Sequence, residues 1–241
     1  MNQLMVHCEH IVGTFFVVAL LYINTIVRNL RGTRMKHLDY REQEDWRKAD
    51  DTIYQSPIDI PLTSIQQQEN SQLIIHFEDR VQSDDRIIGE QFLVQGNLRV
   101  DGTVWALERF HFHDGAEHLV DGKRYDAEIH FVFQRDNQTL VLAVFGETAN
   151  NDNGIEVQNI YDEHVNAEGL LKLIPDNRSY YRYTGSLTTP PLGQNINWLV
   201  LTSAIQISKQ DKAFLHADYP NNYREVQDLN GREIDFFPEK K

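Results

Sequence analysis

The chain of 241 residues predicts a mainly β fold, one large and mostly antiparallel sheet with a few surface helices. Two observations lead there. Short runs of β-branched and aromatic residues recur along the chain, broken by clusters of Gly, Asp and Asn, the pattern of strands joined by turns. Helical patterns are few, in NAEGLLKLI (166–174) and SKQDKAFLHA (208–217).

The strand runs from Tyr40 onward are QLIIHF (72–77), QFLVQGNLRV (91–100), RFHFH (109–113), EIHFVF (128–133) and TLVLAVFG (139–146). Several alternate with period two, so that one face meets a core. LVLAV in the last run is apolar on both faces and reads as a central strand covered on either side. No internal repeat and no low-complexity linker interrupts the series.

With 41% hydrophobic residues and 7 prolines, the composition is that of an ordinary globular protein. The length suffices for one domain with a full core plus an appendage. A net charge of −13 argues against a nucleic-acid partner, because an anionic surface repels phosphate. The single cysteine, Cys8, leaves the folded domain no internal disulfide, which permits a reducing compartment.

Residues 1–36 stand apart from a domain spanning 37–241. They hold Arg28, Arg31, Arg34 and Lys36 against Glu9, a local +3, so the remainder carries −16. Within them, Ile11–Val27 is an uncharged, mostly apolar run of 17 residues followed at once by RNLRGTRMK. That is the short edge for a membrane-spanning helix, and the basic residues behind it favour a cytoplasmic side for the domain. Two alternatives compete with a single-helix anchor: a chain that begins at Met35 and is cytoplasmic, and a secretory leader. The leader fits poorly, since no Lys or Arg precedes the apolar run and no small-residue cleavage site follows.

The chemistry concentrates in ERFHFHDGAEH (108–118). On a strand His111 and His113 share one face, about 6–7 Å apart along it, while Phe110 and Phe112 turn to the other. EIHFVF offers His130 on a second run, and adjacent placement of the two strands would bring a third imidazole to the same point. A lone strand histidine is more often a satisfied core or surface residue. Three on two strands within twenty residues point instead to a metal, since catalytic zinc takes three protein ligands and keeps one position open. Glu128 shares the face of His130 and is placed to take its second ring nitrogen, with a half-exposed strand glutamate as the plain alternative. Glu117 is a further ligand, a hydrogen-bond orienter or a loop charge.

These residues resemble the α-class carbonic anhydrases, in bacterial, short-loop form. QSPIDI (55–60), RFHFHDGAEH (109–118), AEIHFVF (127–133), YTGSLTTPPL (183–192) followed by NWLV, and NNYREVQDLNGR (221–232) match that family in order. The resemblance implies a twisted sheet of ten strands with a conical zinc pocket, and reversible hydration of CO2 to bicarbonate and a proton by zinc-bound hydroxide. It implies His111, His113 and His130 as Zn2+ ligands, and Thr188 as a gatekeeper that receives the hydroxide's hydrogen bond and donates its own to Glu117. Thr189 would line the substrate site, and Val132, Val144 and Leu187 would form the apolar wall for CO2. Glu128 and the backbone of Asn222 would orient the histidines from behind.

Two departures from the family stand out. QFLVQGNLRV resembles the stretch where fast members carry a proton-shuttle histidine after a glycine, and Asn97 follows Gly96 here, which implies proton export through water or buffer. Arg109 stands where the family usually has Gln, and a guanidinium cannot accept a hydrogen bond from the first ligand. Two rivals remain. HFHDGAE also satisfies the cupin pattern H-x-H-x3-E, but the second cupin motif is missing downstream. A carbonic-anhydrase-related, non-catalytic binding module usually lacks a ligand histidine, and all three are present.

Overall fold

The structure, a computed structural model, describes residues 36–149 and 154–240. The apolar run 11–27, and with it the expected anchor, leader or misassigned start, lies outside the described residues. Among the described residues no helix is long and apolar enough to cross a membrane.

Along the chain, a 3-10 helix (Tyr40–Trp46) precedes β1 (Asp59–Ile60), a second 3-10 turn (Leu62–Ser64), β2 (Ile65–Gln67), β3 (Leu73–Arg86), β4 (Gly89–Val100) and β5 (Thr103–Asp114). Then come β6 (Leu119–Val120), β7 (Lys123–Arg124), β8 (Ala127–Arg135), β9 (Gln138–Thr148) and helices α1 (Val157–Tyr161) and α2 (Ala167–Leu171). The remainder is β10 (Tyr180–Ser186), β11 (Gln194–Leu201), β12 (Ile205–Ile207), α3 (Lys209–Asp218) and β13 (Ile234–Phe237). Ten strands form one sheet in the order β2-β13-β10-β11-β9-β8-β5-β4-β3, with β12 added against β9. A small second sheet, β1-β6-β7, stands apart from it.

The expected strands and both expected helices are present, each strand extended beyond its apolar run. Local chemistry explains the joints. Between β4 and β5 the loop is Asp101-Gly102, both at positive φ (46° and 83°), the two-residue hairpin turn whose twist suits antiparallel strands. Asn166 caps α2 by accepting from the Gly169 N–H at 2.9 Å. Ser208 and Asp211 close a reciprocal capping box on α3, each side chain accepting from the other's backbone N–H. The sheet is mixed rather than uniform, since β11 and β12 run parallel to β9 and β13 runs parallel to β2.

The centre of the sheet is buried on both faces. On one face Phe77, Phe92, Phe110, Phe112, Phe131 and Val144 join one large core. On the other, Val132, Val141, Ala143, Phe145 and Trp198 form a second cluster. Alternation along β8 and β9 puts successive residues into different cores, so both strands read as nearly unbroken apolar runs. The β5–β8 register sets His111 opposite His130 and His113 opposite Glu128. Four polar side chains thereby share the face of the second cluster.

Phe131 is fully buried, with its ring centroid 5.3 Å from Phe110 and 5.7 Å from Phe77. Phe131→Ala should cost about 3–5 kcal/mol of stability, the usual range for emptying such a site, read as a lowered midpoint in chemical denaturation.

Candidate metal centre and active site

His111, His113 and His130 each offer a ring nitrogen, and these atoms lie within 4.8 Å of one another. Hydrogen bonds behind the rings decide which nitrogen each presents. His113 Nδ1 is 2.6 Å from the backbone oxygen of Asn222. A carbonyl only accepts, so Nδ1 carries the proton and Nε2 a lone pair. His130 Nε2 is 2.7 Å from Glu128 Oε1, which leaves the lone pair on Nδ1. Those two bare nitrogens face each other at 3.1 Å. With both rings neutral, neither can donate to the other. Two lone pairs brought that close are relieved by a shared proton or a metal ion, and their spacing suits ligands on one tetrahedral zinc, where neighbouring nitrogens stand about 3.3 Å apart.

Electrostatics favour neutral rings at His111 and His113. Burial pushes the His111 pKa well below its ordinary value, helped by His113 and His130. Burial also lowers that of His113, against the pull of Glu117. The carboxylate Oε2 of Glu117 lies 3.5 Å from His113 Nε2 and 3.8 Å from His130 Nδ1, fully buried and without a hydrogen-bond partner. Its other oxygen accepts from the Arg224 N–H at 2.7 Å.

Glu117 reaches this position through the turn after β5. Gly115 has φ +99°, and a Cβ there would meet the Tyr223 ring at 2.8 Å, so only glycine suits both the conformation and the space. The segment from Asn221 to Arg224 closes over the same turn. Asn222 Oδ1 accepts from the Asp114 N–H at 2.6 Å, and its Nδ2 donates to the Phe112 carbonyl at 3.0 Å.

Glu128 is the hub behind the site. Besides His130 it accepts from the His118 backbone N–H (2.9 Å) and from His118 Nδ1 (2.6 Å). Burial alone would raise its pKa, but His118 and His130 outweigh that and hold the carboxyl well below the usual carboxylate range. His118 Nε2 is 2.7 Å from Tyr183 OH, itself 2.9 Å from Ser56 Oγ. Ser56 and Ser186 then tie together, each side-chain oxygen accepting from the other's N–H at 3.2 and 3.0 Å. Gly185 permits this approach, because a Cβ there would overlap Ser56 Oγ. Trp198 Nε1 donates to the Ser186 carbonyl at 3.0 Å, and the Leu187 N–H to the Gly193 carbonyl at 2.7 Å. The loop carrying Thr188 and Thr189 is thus pinned at its base.

A small cavity opens beside the histidines, lined by residues that include His111, His130, Val132, Val141, Leu187, Thr188, Thr189, Trp198 and Arg109. Most of the expected site residues meet here or directly behind. Three readings change. Val144 is not part of the wall: it pairs with Ile129 and packs in the opposite core, whereas Val141, paired with Val132, lines the cavity. The two differ by an odd number of residues, which reverses the face of a strand. Asn97 is remote as well. It pairs with His76 and with Ala106, five residues before His111 in β5, which is about 16 Å along a strand. Glu117 Oε2 receives no hydrogen bond from Thr188 in this structure. Tyr183, Ser56, Ser186 and Arg224 were not singled out from the sequence, although each lies within a segment that carries the family resemblance.

The mainly β fold and a cluster of three histidines able to hold a metal ion, His111 half-buried and His113 and His130 buried, define the class. Residues 41–237 match the eukaryotic-type carbonic anhydrase family. A carbonic anhydrase of Pectobacterium atrosepticum is 35% identical over 200 residues, 75% of this chain and 78% of that protein. One from Klebsiella pneumoniae is 30% identical, over 79% of this chain and 83% of that one. The solved α-carbonic anhydrase of Photobacterium profundum superposes with a TM-score of 0.70 at 29% identity, covering 81% of this chain and 95% of that one. The chain belongs to the carbonic anhydrase family and is an enzyme of it.

Because Glu128 is depressed in the folded state, it contributes stability above its ordinary pKa of 4.5, and that contribution is lost as pH falls below this value. Wild type should therefore lose stability more steeply than Glu128→Gln on acidification below about pH 4.5, measured by denaturation at fixed pH steps.

Proposed function

We propose that the chain catalyses the zinc-dependent, reversible hydration of CO2 to bicarbonate and a proton, with His111, His113 and His130 as the zinc ligands. The observation that carries this reading is the pair of bare nitrogens, His113 Nε2 and His130 Nδ1, held 3.1 Å apart by the acceptors behind them. Bound zinc supplies a Lewis acid that makes water acidic enough to yield hydroxide near neutral pH, its established chemistry in carbonic anhydrases.

The protein's own groups do the rest. Asn222 and Glu128 hold the protons on the outer ring nitrogens of His113 and His130. The Thr188 hydroxyl lines the cavity and can accept the nucleophile's proton in a hydrogen bond, while Glu117 Oε2 stands buried and unpartnered beside His113 and His130. The Thr188 contact aims a nucleophilic lone pair at carbon. CO2 has no charge to grip, so Val132, Val141, Leu187 and Trp198 hold it by contact, with Thr189 at the polar side. Of the lining residues only Arg109 and the ligand histidines carry ionisable side chains. Protons therefore leave through water to buffer.

Metal analysis combined with a CO2-hydration assay tests the whole reading. One zinc per chain with hydration supports it, and zinc without hydration would favour a non-catalytic binding module. His113→Ala should abolish both zinc binding and activity, and retention of either would sink the ligand assignment. Turnover should rise with buffer concentration and with added imidazole, and a rate indifferent to both would refute export through buffer. The solved α-carbonic anhydrase of Thermovibrio ammonificans, 28% identical with a TM-score of 0.68, is in complex with the inhibitor sulfanilamide. Sulfanilamide is accordingly expected to inhibit this chain.

A further inference from the structure

The three histidines are not held alike. His113 Nδ1 has the Asn222 carbonyl at 2.6 Å and His130 Nε2 has Glu128 at 2.7 Å, but His111 Nδ1 is buried with no hydrogen-bond partner. If His111 binds metal through Nε2, Nδ1 must carry a proton that meets no acceptor. The side chain two residues earlier on the same strand face is Arg109, which has only donors. It lines the same cavity, with Nε donating to Gln91 Oε1 at 3.2 Å and Nη1 to Glu108 at 3.2 Å. Burial lowers the Arg109 pKa against the pull of Glu108, yet a guanidinium stays charged at any working pH. The group beside His111 can therefore neither accept its proton nor draw it toward the metal.

We infer that Arg109 is a positioning residue acting in reverse: by displacing an acceptor it leaves His111 the loosest ligand, so this chain binds zinc more weakly and releases it faster than an acceptor at position 109 would allow. Lost outer hydrogen bonds to ligand histidines typically cost 10–100-fold in metal affinity, and a buried unpaired N–H carries the corresponding penalty. The inference rests on the zinc reading above. Glutamine at 109 suits the site chemically, since its amide can donate to Gln91 Oε1 while its carbonyl accepts from His111 Nδ1.

The test is zinc affinity, measured on the full chain by competition with a chelator, together with the rate of zinc loss. Arg109→Gln is expected to bind zinc about ten-fold tighter or better and to lose it correspondingly more slowly. Arg109→Glu, a second acceptor, should do likewise. Arg109→Met, of similar reach with neither charge nor acceptor, should gain less than either. Equal affinity in wild type and the Gln variant, or an equal gain in the Met variant, would overturn the inference, the latter by assigning the effect to charge. In cobalt-substituted protein the visible spectrum should differ between wild type and Gln but not between wild type and Met. A chain that takes up zinc in no form would instead overturn the metal reading itself.

Discussion

Everything in the site depends on one constraint, two imidazole lone pairs pressed together at 3.1 Å by hydrogen bonds on their far sides. Neither contact behind them is incidental. The Asn222 carbonyl and the Glu128 carboxylate can only accept, so each forces its ring to present a bare nitrogen inward. Without a cation the arrangement is repulsive. With one it is a preformed ligand set, and the fold carries the cost of preforming it.

The sheet meets that cost through register. His111 faces His130, and His113 faces Glu128, because β5 and β8 pair with one particular offset. The offset is enforced from the other side, where Phe110, Phe112, Ile129 and Phe131 are all buried in one core. A slip of one residue would turn those aromatic side chains toward the cavity and the histidines into hydrocarbon. The apolar face therefore specifies the polar one.

The polar side is secured by segments far apart in the chain. Glu128, His118, Tyr183, Ser56 and Ser186 run as one buried sequence of hydrogen bonds from His130 to the base of the Thr188 loop. Arg224 ties Glu117 to the Gln55–Ser56 stretch, donating from its backbone to the former and from its guanidinium to Gln55 Oε1 and the Ser56 carbonyl. Where it is satisfied, such a network fixes one geometry; it stops at His111 Nδ1 and at Glu117 Oε2.

The β class, the central position of β9 and the shared face of His111 and His113 are legible in the residues alone, because period-two alternation is a local property wherever one face must be apolar, whereas His130 joins them only through the pairing of β5 with β8. The sequence also marked Arg109 as a donor where an acceptor belongs. It did not decide which valine faces the cavity: Val141 and Val144 look alike in TLVLAVFG, and only the pairing of Val141 with Val132 puts the first on the wall and the second in the opposite core. Nor did it reveal that Asn97 pairs with Ala106, five residues before His111, since its distance from the histidine cluster depends on where β5 pairs with β4. The parallel strands and the partners of Tyr183, Ser56 and Arg224 were likewise decided by tertiary structure. Contacts between residues more than a hundred positions apart leave no periodic trace, and register across strands is set by the packing of the whole sheet.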